Sequence, residues 1–409
     1  MARILIVGGS LGGLLAANLL HRDGHEVLVL ERSGRSLAGR GAGIVTHQGL
    51  LHALRSAAAL VDDSLGVQVN QRVVLASDGS ALHTWAYAQV LTSWGRLYAL
   101  LRAALPDGLQ RLGAAVVQVE QDSAGVTAHL ASGEALRAEL LLAADGIRST
   151  VRAQLAPSVL THYAGYVAWR GVCDEAALSA HTRRTLFPFF GFGLPPGEQL
   201  IGYPVAGEDN STAVGQRRWN FVWYRPAANE VLTALMTDAD GVHHPEGITP
   251  QQVSWRHIAL VRQAARDLLA PQFAEVLEKT ALPFLQPIHD LAAPQLAFGR
   301  MALLGDAAFV ARPHVGMGVT KAADDALALA ACIAQDGATA QALLRYQAQR
   351  QAVGAAVVQR ARALGAHLQS HAQTSRVSPR SAEAVMRHTA IDPSLFDQHP
   401  ADSMAARAA

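Results

Sequence analysis

An apolar run, Ile4-Leu5-Ile6-Val7, leads straight into Gly8-Gly9-Ser10-Leu11-Gly12-Gly13 and then into helix-spaced apolar residues from Leu14 to Arg22. Strand, glycine turn and helix in that order begin a dinucleotide-binding βαβ unit. The second strand, Glu26 to Leu30, ends at Glu31, where such units place an acid against an adenosine ribose. Gly8 takes the tight turn and Gly13 lets helix and strand approach closely. The free amides and dipole of the helix start favour a pyrophosphate. Ser10 replaces the middle glycine of the fingerprint, a small residue whose hydroxyl adds a donor. Against this stands a glycine turn that serves packing alone.

Composition narrows the classes. A chain of 409 residues, 50% apolar and 16% charged, has the length of two to three domains and fills a core. A net charge of +1 without basic runs argues against nucleic acid. Cys173 and Cys332 stand alone, and the histidines are scattered, so neither a disulfide framework nor a metal site is expected. No apolar run reaches membrane-spanning length, and the N-terminal stretch is broken by glycines, unlike a targeting leader. A cytoplasmic protein is the expectation.

Two further segments resemble the first. Glu139-Leu140-Leu141-Leu142-Ala143-Ala144-Asp145-Gly146 and Arg300-Met301-Ala302-Leu303-Leu304-Gly305-Asp306 are buried parallel strands broken by an acid and a glycine at their carboxyl ends, where open α/β sheets bind ligands. After the third, Pro313-His314-Val315-Gly316-Met317-Gly318-Val319-Thr320 opens a helix whose first amides make another anion-friendly site. The loop from Arg32 through Arg40 to Gly43 and Ile44 reads either as a surface loop or as backbone passing close to a flat ligand. Between Leu155 and Leu285, proline and alternating aromatic runs such as Trp219-Asn220-Phe221-Val222-Trp223-Tyr224 predict an antiparallel sheet inserted between parts of the first domain. Past Ser375 the chain is polar and interrupted by prolines, and partial order at best is expected.

Glu31 behind its glycine turn, Asp145-Gly146, and Gly305-Asp306 with Pro313, Gly316 and Gly318 stand in the order found in the FAD-dependent aromatic hydroxylases of the p-hydroxybenzoate hydroxylase type. Over roughly residues 1–370 the chain resembles that family. Tyr163 to Val172, Ile201-Gly202-Tyr203-Pro204 and Arg312-Pro313-His314 resemble its dihydroxypyridine-hydroxylating branch, and segments like the first also occur in its urate hydroxylases. The resemblance implies an α/β fold: a Rossmann-like FAD-binding domain (1–75, 96–154 and 289–370), an inserted antiparallel-sheet substrate domain (76–95 and 155–288), C-terminal helices and a tail (371–409). It also implies FAD, NADH or NADPH as transient reductant, and transfer of one oxygen atom of O₂ to an electron-rich aromatic or N-heterocyclic ring. A homodimer stays open, as do an oxidase or dehydrogenase reaction and a non-catalytic flavin protein.

By matching position, Gly8, Ser10, Leu11 and Gly13 face the FAD pyrophosphate and Glu31 the ribose. Arg32, Arg40, Gly43, Ile44, Arg96, Val119, Asp145 and Gly146 complete that side. Gly305 and Asp306 meet the ribityl chain, and Pro313, Gly316, Met317, Gly318, Val319 and Thr320 lie beside the isoalloxazine. Phe309 and Thr320 depart from the family's frequent histidine and asparagine. His47, His289 and His314 are candidate bases because they adjoin these segments, against the plainer reading of loop or packing histidines. Tyr203, Trp223, Tyr224 and Arg170 are candidates to grip a flat ring, against plain sheet packing.

Overall fold

The computed structural model describes residues 1–37, 43–366 and 379–396. Arg40 lies outside the described residues. The expected α/β arrangement is present, with a mainly parallel sheet, a larger mainly antiparallel sheet, a small third sheet and C-terminal helices. The six-stranded sheet runs Ala297–Phe298, Met301–Leu303, Leu140–Ala143, Arg3–Val7, Glu26–Glu31, Gln110–Leu112, all parallel except the first pair. Its uninterrupted apolar runs reflect burial on both faces: Ile4 to Ile6 and Leu140 to Leu142 have no exposed surface. The helices Leu11–Arg22 and Gly318–Asp336 share that core.

Register makes this sheet a scaffold for a site. Val7, Ala143 and Leu303 lie in one row across the three central strands, so the turns that follow them emerge side by side at one edge. The long helix Ala340–Gly365 braces that edge, with the Tyr346 hydroxyl donating to the Leu303 carbonyl at 3.0 Å. A three-stranded sheet, Val116–Gln121, Val126–Leu130 and Ala135–Ala138, packs into the same core.

The nine-stranded sheet runs Phe309–Val310, Phe284–Ala292, His162–Asp174, Arg218–Pro226, Gln199–Val205, Phe189–Gly193, Val67–Leu75, Ala81–Ser93, Gly43–Val45. It therefore takes in Val67–Leu75 and Gly43–Val45, which the expected domain limits gave to the first domain, and all of Phe284–Ala292, which they split at 289. Strand membership depends on partners distant in sequence, among them the parallel pairing of Phe189–Gly193 with Val67–Leu75. One face, with Trp169, Trp219, Phe221 and Trp223, packs against the helices Trp255–Leu268 and Pro271–Lys279. The other carries Tyr166, Ile201, Tyr203, Val222 and Tyr224.

The described tail is better packed than expected. The helix Pro379–His388 and the chain just after it bury Ala382, Val385, Met386 and Ala390 against the aromatic face, and Ile391 is buried as well. Ala382, Val385 and Met386, at helical spacing, form a narrow stripe within a polar stretch, which composition averages away.

Candidate active site

The three strand-end turns and the second sheet face enclose two adjoining cavities of about 180 and 370 Å³ that share Ser10, Trp94, Ala144 and Gly146. The smaller is lined by Gly8, Glu31, Arg32, Asp145 and Arg148, the larger by the Gly305-Asp306 and Pro313–Val319 segments and by Arg170, Tyr203, Tyr224 and His289.

At the inner end, Gly8 has φ +104°, and a Cβ there would lie 2.4 Å from the Ala144 carbonyl oxygen. On Gly13 it would lie 1.9 Å from the Gly8 carbonyl oxygen, so this glycine serves close packing behind the turn. Ser10 caps its helix without a side-chain bond, leaving first-turn amides for a ligand. The Glu31 carboxylate accepts from the Gly9 and Ser33 amides, each at 2.8 Å, and retains lone pairs for hydroxyl donors. Asp145 accepts from the Val151 amide at 3.2 Å while its buried Oδ1 finds no partner, and burial pushes its carboxyl up.

Asp306 is crowded by protein, which raises its carboxyl, yet its side chain is 53% exposed to the cleft. The fully buried Lys321 ammonium lies 3.7 Å away and opposes that rise. Behind the turn, Asp325 accepts from the Gly305 amide at 3.0 Å and from Arg350 Nε at 2.8 Å. Gly146 and Gly318 have open space where a Cβ would stand. Amides at a helix start, a dangling buried carboxylate oxygen, an acid with lone pairs to spare and glycine walls fit an extended dinucleotide with a flat ring.

At the outer end, the Arg170 guanidinium donates to Gln286 Oε1 at 2.7 Å while its buried Nε has no partner. Tyr224 OH is also buried and unpartnered, and burial pushes both the Tyr203 and Tyr224 hydroxyls up, so each stays a donor. His289 Nδ1 lies 3.3 Å from the Pro287 carbonyl oxygen, to which it donates, so the bare Nε2 is an acceptor. Burial lowers this imidazole and keeps it neutral.

Several expected residues stand elsewhere. Trp223 faces the opposite core, one residue out of phase with Tyr224. Arg96 donates to the Ser64 hydroxyl at 2.6 Å, and Val119 is buried within the small sheet. Met317 and Thr320 are buried and do not line the cleft. His314 is enclosed between Gln199, 2.7 Å from Nδ1, and Tyr166, 2.9 Å from Nε2. His47 is also enclosed, its Nδ1 3.0 Å from Thr320 Oγ1. Thr320 thus has a local reason in its histidine partner. Phe309 has one in packing, since a Cβ on Gly354 would lie 2.3 Å from its ring. Trp94, Ile147, Arg148, Gln286 and Ala390 line the cleft and had no signal in the sequence beyond their neighbours.

Burial pushes the His47 imidazole down to about 4, below its ordinary 6.5. The unfolded chain therefore binds the proton more tightly, and stability present above pH 6.5 is lost as pH falls toward 4. His47→Gln is expected to flatten that limb of a urea-midpoint-against-pH profile. An unchanged profile would show that other groups carry the acid sensitivity.

A family model described as FAD binding domain-like matches residues 163–290, and one described as NAD(P)-binding Rossmann-like domain matches residues 6–64. The 2,6-dihydroxypyridine 3-monooxygenase of Paenarthrobacter nicotinovorans is 30% identical over 90% of this chain and 91% of its own. The 6-hydroxynicotinate 3-monooxygenase of Pseudomonas fluorescens is 28% identical over 82% and 83%. The solved 2,6-dihydroxypyridine-3-hydroxylase of Arthrobacter nicotinovorans superimposes with a TM-score of 0.84 and 27% identity, covering 98% of this chain and 95% of the other. The chain belongs to the FAD-dependent aromatic-ring hydroxylases. It is a flavoprotein monooxygenase that takes FAD as cofactor and a small aromatic substrate. Among the described residues no helix is long and apolar enough to cross a membrane.

Proposed function

We propose that this monooxygenase hydroxylates a hydroxylated N-heteroaromatic ring of pyridine type, with 2,6-dihydroxypyridine as the first substrate to test, in the cytoplasm and at the expense of NADH or NADPH. The carrying observation is the outer cleft, where Arg170, Tyr203 and Tyr224 supply donors and His289 Nε2 an acceptor around one cavity. No carboxylate lines that end among the described residues; Glu31, Asp145 and Asp306 all lie on the cofactor side. A ring oxygen bearing negative charge meets the guanidinium and phenols, and a ring N–H or O–H meets the imidazole.

Bound FAD supplies the redox and oxygen-activating chemistry, drawing its electrons from the nicotinamide. The residues around it orient and protect. Asp306, Glu31 and the turn amides hold the cofactor, with Gly43, Ile44, Pro313 and Gly316 as close walls. The apolar surfaces of Ile201, Val222 and Ile288 limit water. His289 Nε2 accepts a substrate proton, making the ring more nucleophilic, and Arg170 holds the charge that results. His47 and His314 have no free path to a ring and are assigned to support.

A panel of hydroxypyridines, hydroxyquinolones and hydroxybenzoates, scored by hydroxylated product carrying one ¹⁸O from ¹⁸O₂, tests this reading. Product from hydroxypyridines is expected. Product from hydroxybenzoates alone would overturn the ring assignment, and peroxide without hydroxylation from every member would overturn the reading as a whole. Tyr224→Phe removes an unpartnered hydroxyl and is expected to raise substrate KM about tenfold without lowering stability. Trp223→Phe, on the far face, is expected to do the opposite: lower stability with KM unchanged.

A further inference from the structure

The fully buried Arg72, on the strand Val67–Leu75, has no carboxylate beside it among the described residues. Its guanidinium donates to Gln89 Oε1 and to the carbonyls of Met386, Thr389 and Ala390, the three carbonyl bonds being 2.5–3.0 Å long. It also lies over the rings of Tyr87 at 4.5 Å and Phe190 at 4.8 Å. A buried cation aimed at three carbonyls is a receptor for that stretch of backbone, which ends the helix Pro379–His388 and presents the negative end of its dipole.

The stretch so held reaches the reaction site. Ala390 lines the cleft, and its amide donates to the His314 carbonyl at 2.9 Å. A Cβ on Gly316 would lie 2.6 Å from Ala390 Cβ, so the two segments are in direct contact. Ala390 has φ +51°, a left-handed conformation that a non-glycine residue keeps only when its surroundings impose it. Gln199 bridges the segments a second time. Its Nε2 donates to Thr389 Oγ1 at 3.2 Å, so its Oε1 accepts from His314 Nδ1, leaving His314 Nε2 to accept from the Tyr166 hydroxyl.

We propose that Arg72 is a positioning residue for hydroxylation: it seats residues 386–390 as a wall of the cleft and, through Ala390 and Thr389, fixes the Pro313–Gly316 loop beside the reacting ring. This rests on the reading of the cleft as the hydroxylation site. Arg72 touches neither cofactor nor substrate, and its effect is the exclusion of water and the placement of that loop.

The test uses full-length, FAD-loaded enzyme carrying Arg72→Met, with Arg72→Lys as a milder variant that keeps the cation but not the fork of donors; Gln89 is left in place because its own Nε2 donates to the Ala390 carbonyl at 3.0 Å. Amides of residues 385–392 and 314–317 are expected to exchange hydrogen at least about tenfold faster in Arg72→Met, with those of residues 3–7 unchanged. Flavin content is expected to stay at the wild-type level, while hydroxylated product per nicotinamide oxidised falls at least about threefold and peroxide rises correspondingly. Arg72→Lys is expected to give the same pattern, weaker, and stands in if Arg72→Met does not fold. Unchanged exchange at 314–317, or faster exchange with full coupling, overturns the proposal. The exchange measurement needs no substrate, so its result stands apart from the choice of ring.

Discussion

Asp325→Ala is expected to destabilise the protein by about 3–5 kcal/mol, because it takes the nearer carboxylate from the largely buried Arg350, leaving only Asp324 at 4.0 Å, and frees the Gly305 amide in one step. Asp325 has no exposed surface, and Arg350 is its partner from the long helix Ala340–Gly365. The carboxylate therefore joins two helices to the turn that presents Asp306. Arg350→Met alone is expected to cost nearly as much, since it leaves a buried carboxylate without its cation. The double variant Asp325→Leu/Arg350→Met is expected to lose less than the sum, because the only charge then left without its cation is the partly exposed Asp324. Urea denaturation gives these values, and flavin absorbance per chain reads the second consequence, loss of FAD from the alanine variant. Simple additivity would show that the two groups do not act as a pair.

What the sequence disclosed and what it concealed follow from the range of the interactions. Leu140 to Gly146 and Arg300 to Asp306 were legible because a buried parallel strand and the break after it are local facts. Their convergence at one edge came with the parallel order. Tyr224 and Trp223 show the limit: alternation reveals that neighbours face opposite ways but not which way is inward, and the cleft took the tyrosine. His47 and His314 adjoin cofactor-side segments yet turn into the protein, one to Thr320 and the other between Gln199 and Tyr166. Adjacency along the chain says nothing about side-chain direction. Trp94, Arg148 and Ala390 reach the cleft from separate elements, and Arg72 reads on its strand as an ordinary polar position. The nine-stranded sheet exceeded its expected limits for the same reason, since Phe189–Gly193 finds Val67–Leu75 more than a hundred residues away.

Glu31→Ala is expected to weaken FAD binding about a hundredfold, equivalent to ~2.7 kcal/mol. Two effects add. The carboxylate bonds the Gly9 amide and the Ser33 amide at 2.8 Å each, so its loss loosens the glycine turn and the chain leaving the strand. Each is a charge-assisted bond in a mostly buried place, worth more than a neutral one. The acceptor we propose for the ribose hydroxyls also goes. Glu31→Gln separates the contributions: its carbonyl oxygen serves one amide, but its NH₂ confronts a second donor where an acceptor stood, and a loss of about tenfold is expected. Fluorescence titration of the apoprotein with FAD measures both variants without reference to substrate. Wild-type affinity in Glu31→Ala would remove the ribose role and leave Glu31 as a brace for the turn alone. Wild-type affinity only in Glu31→Gln would show that acceptor geometry rather than charge holds the coenzyme there.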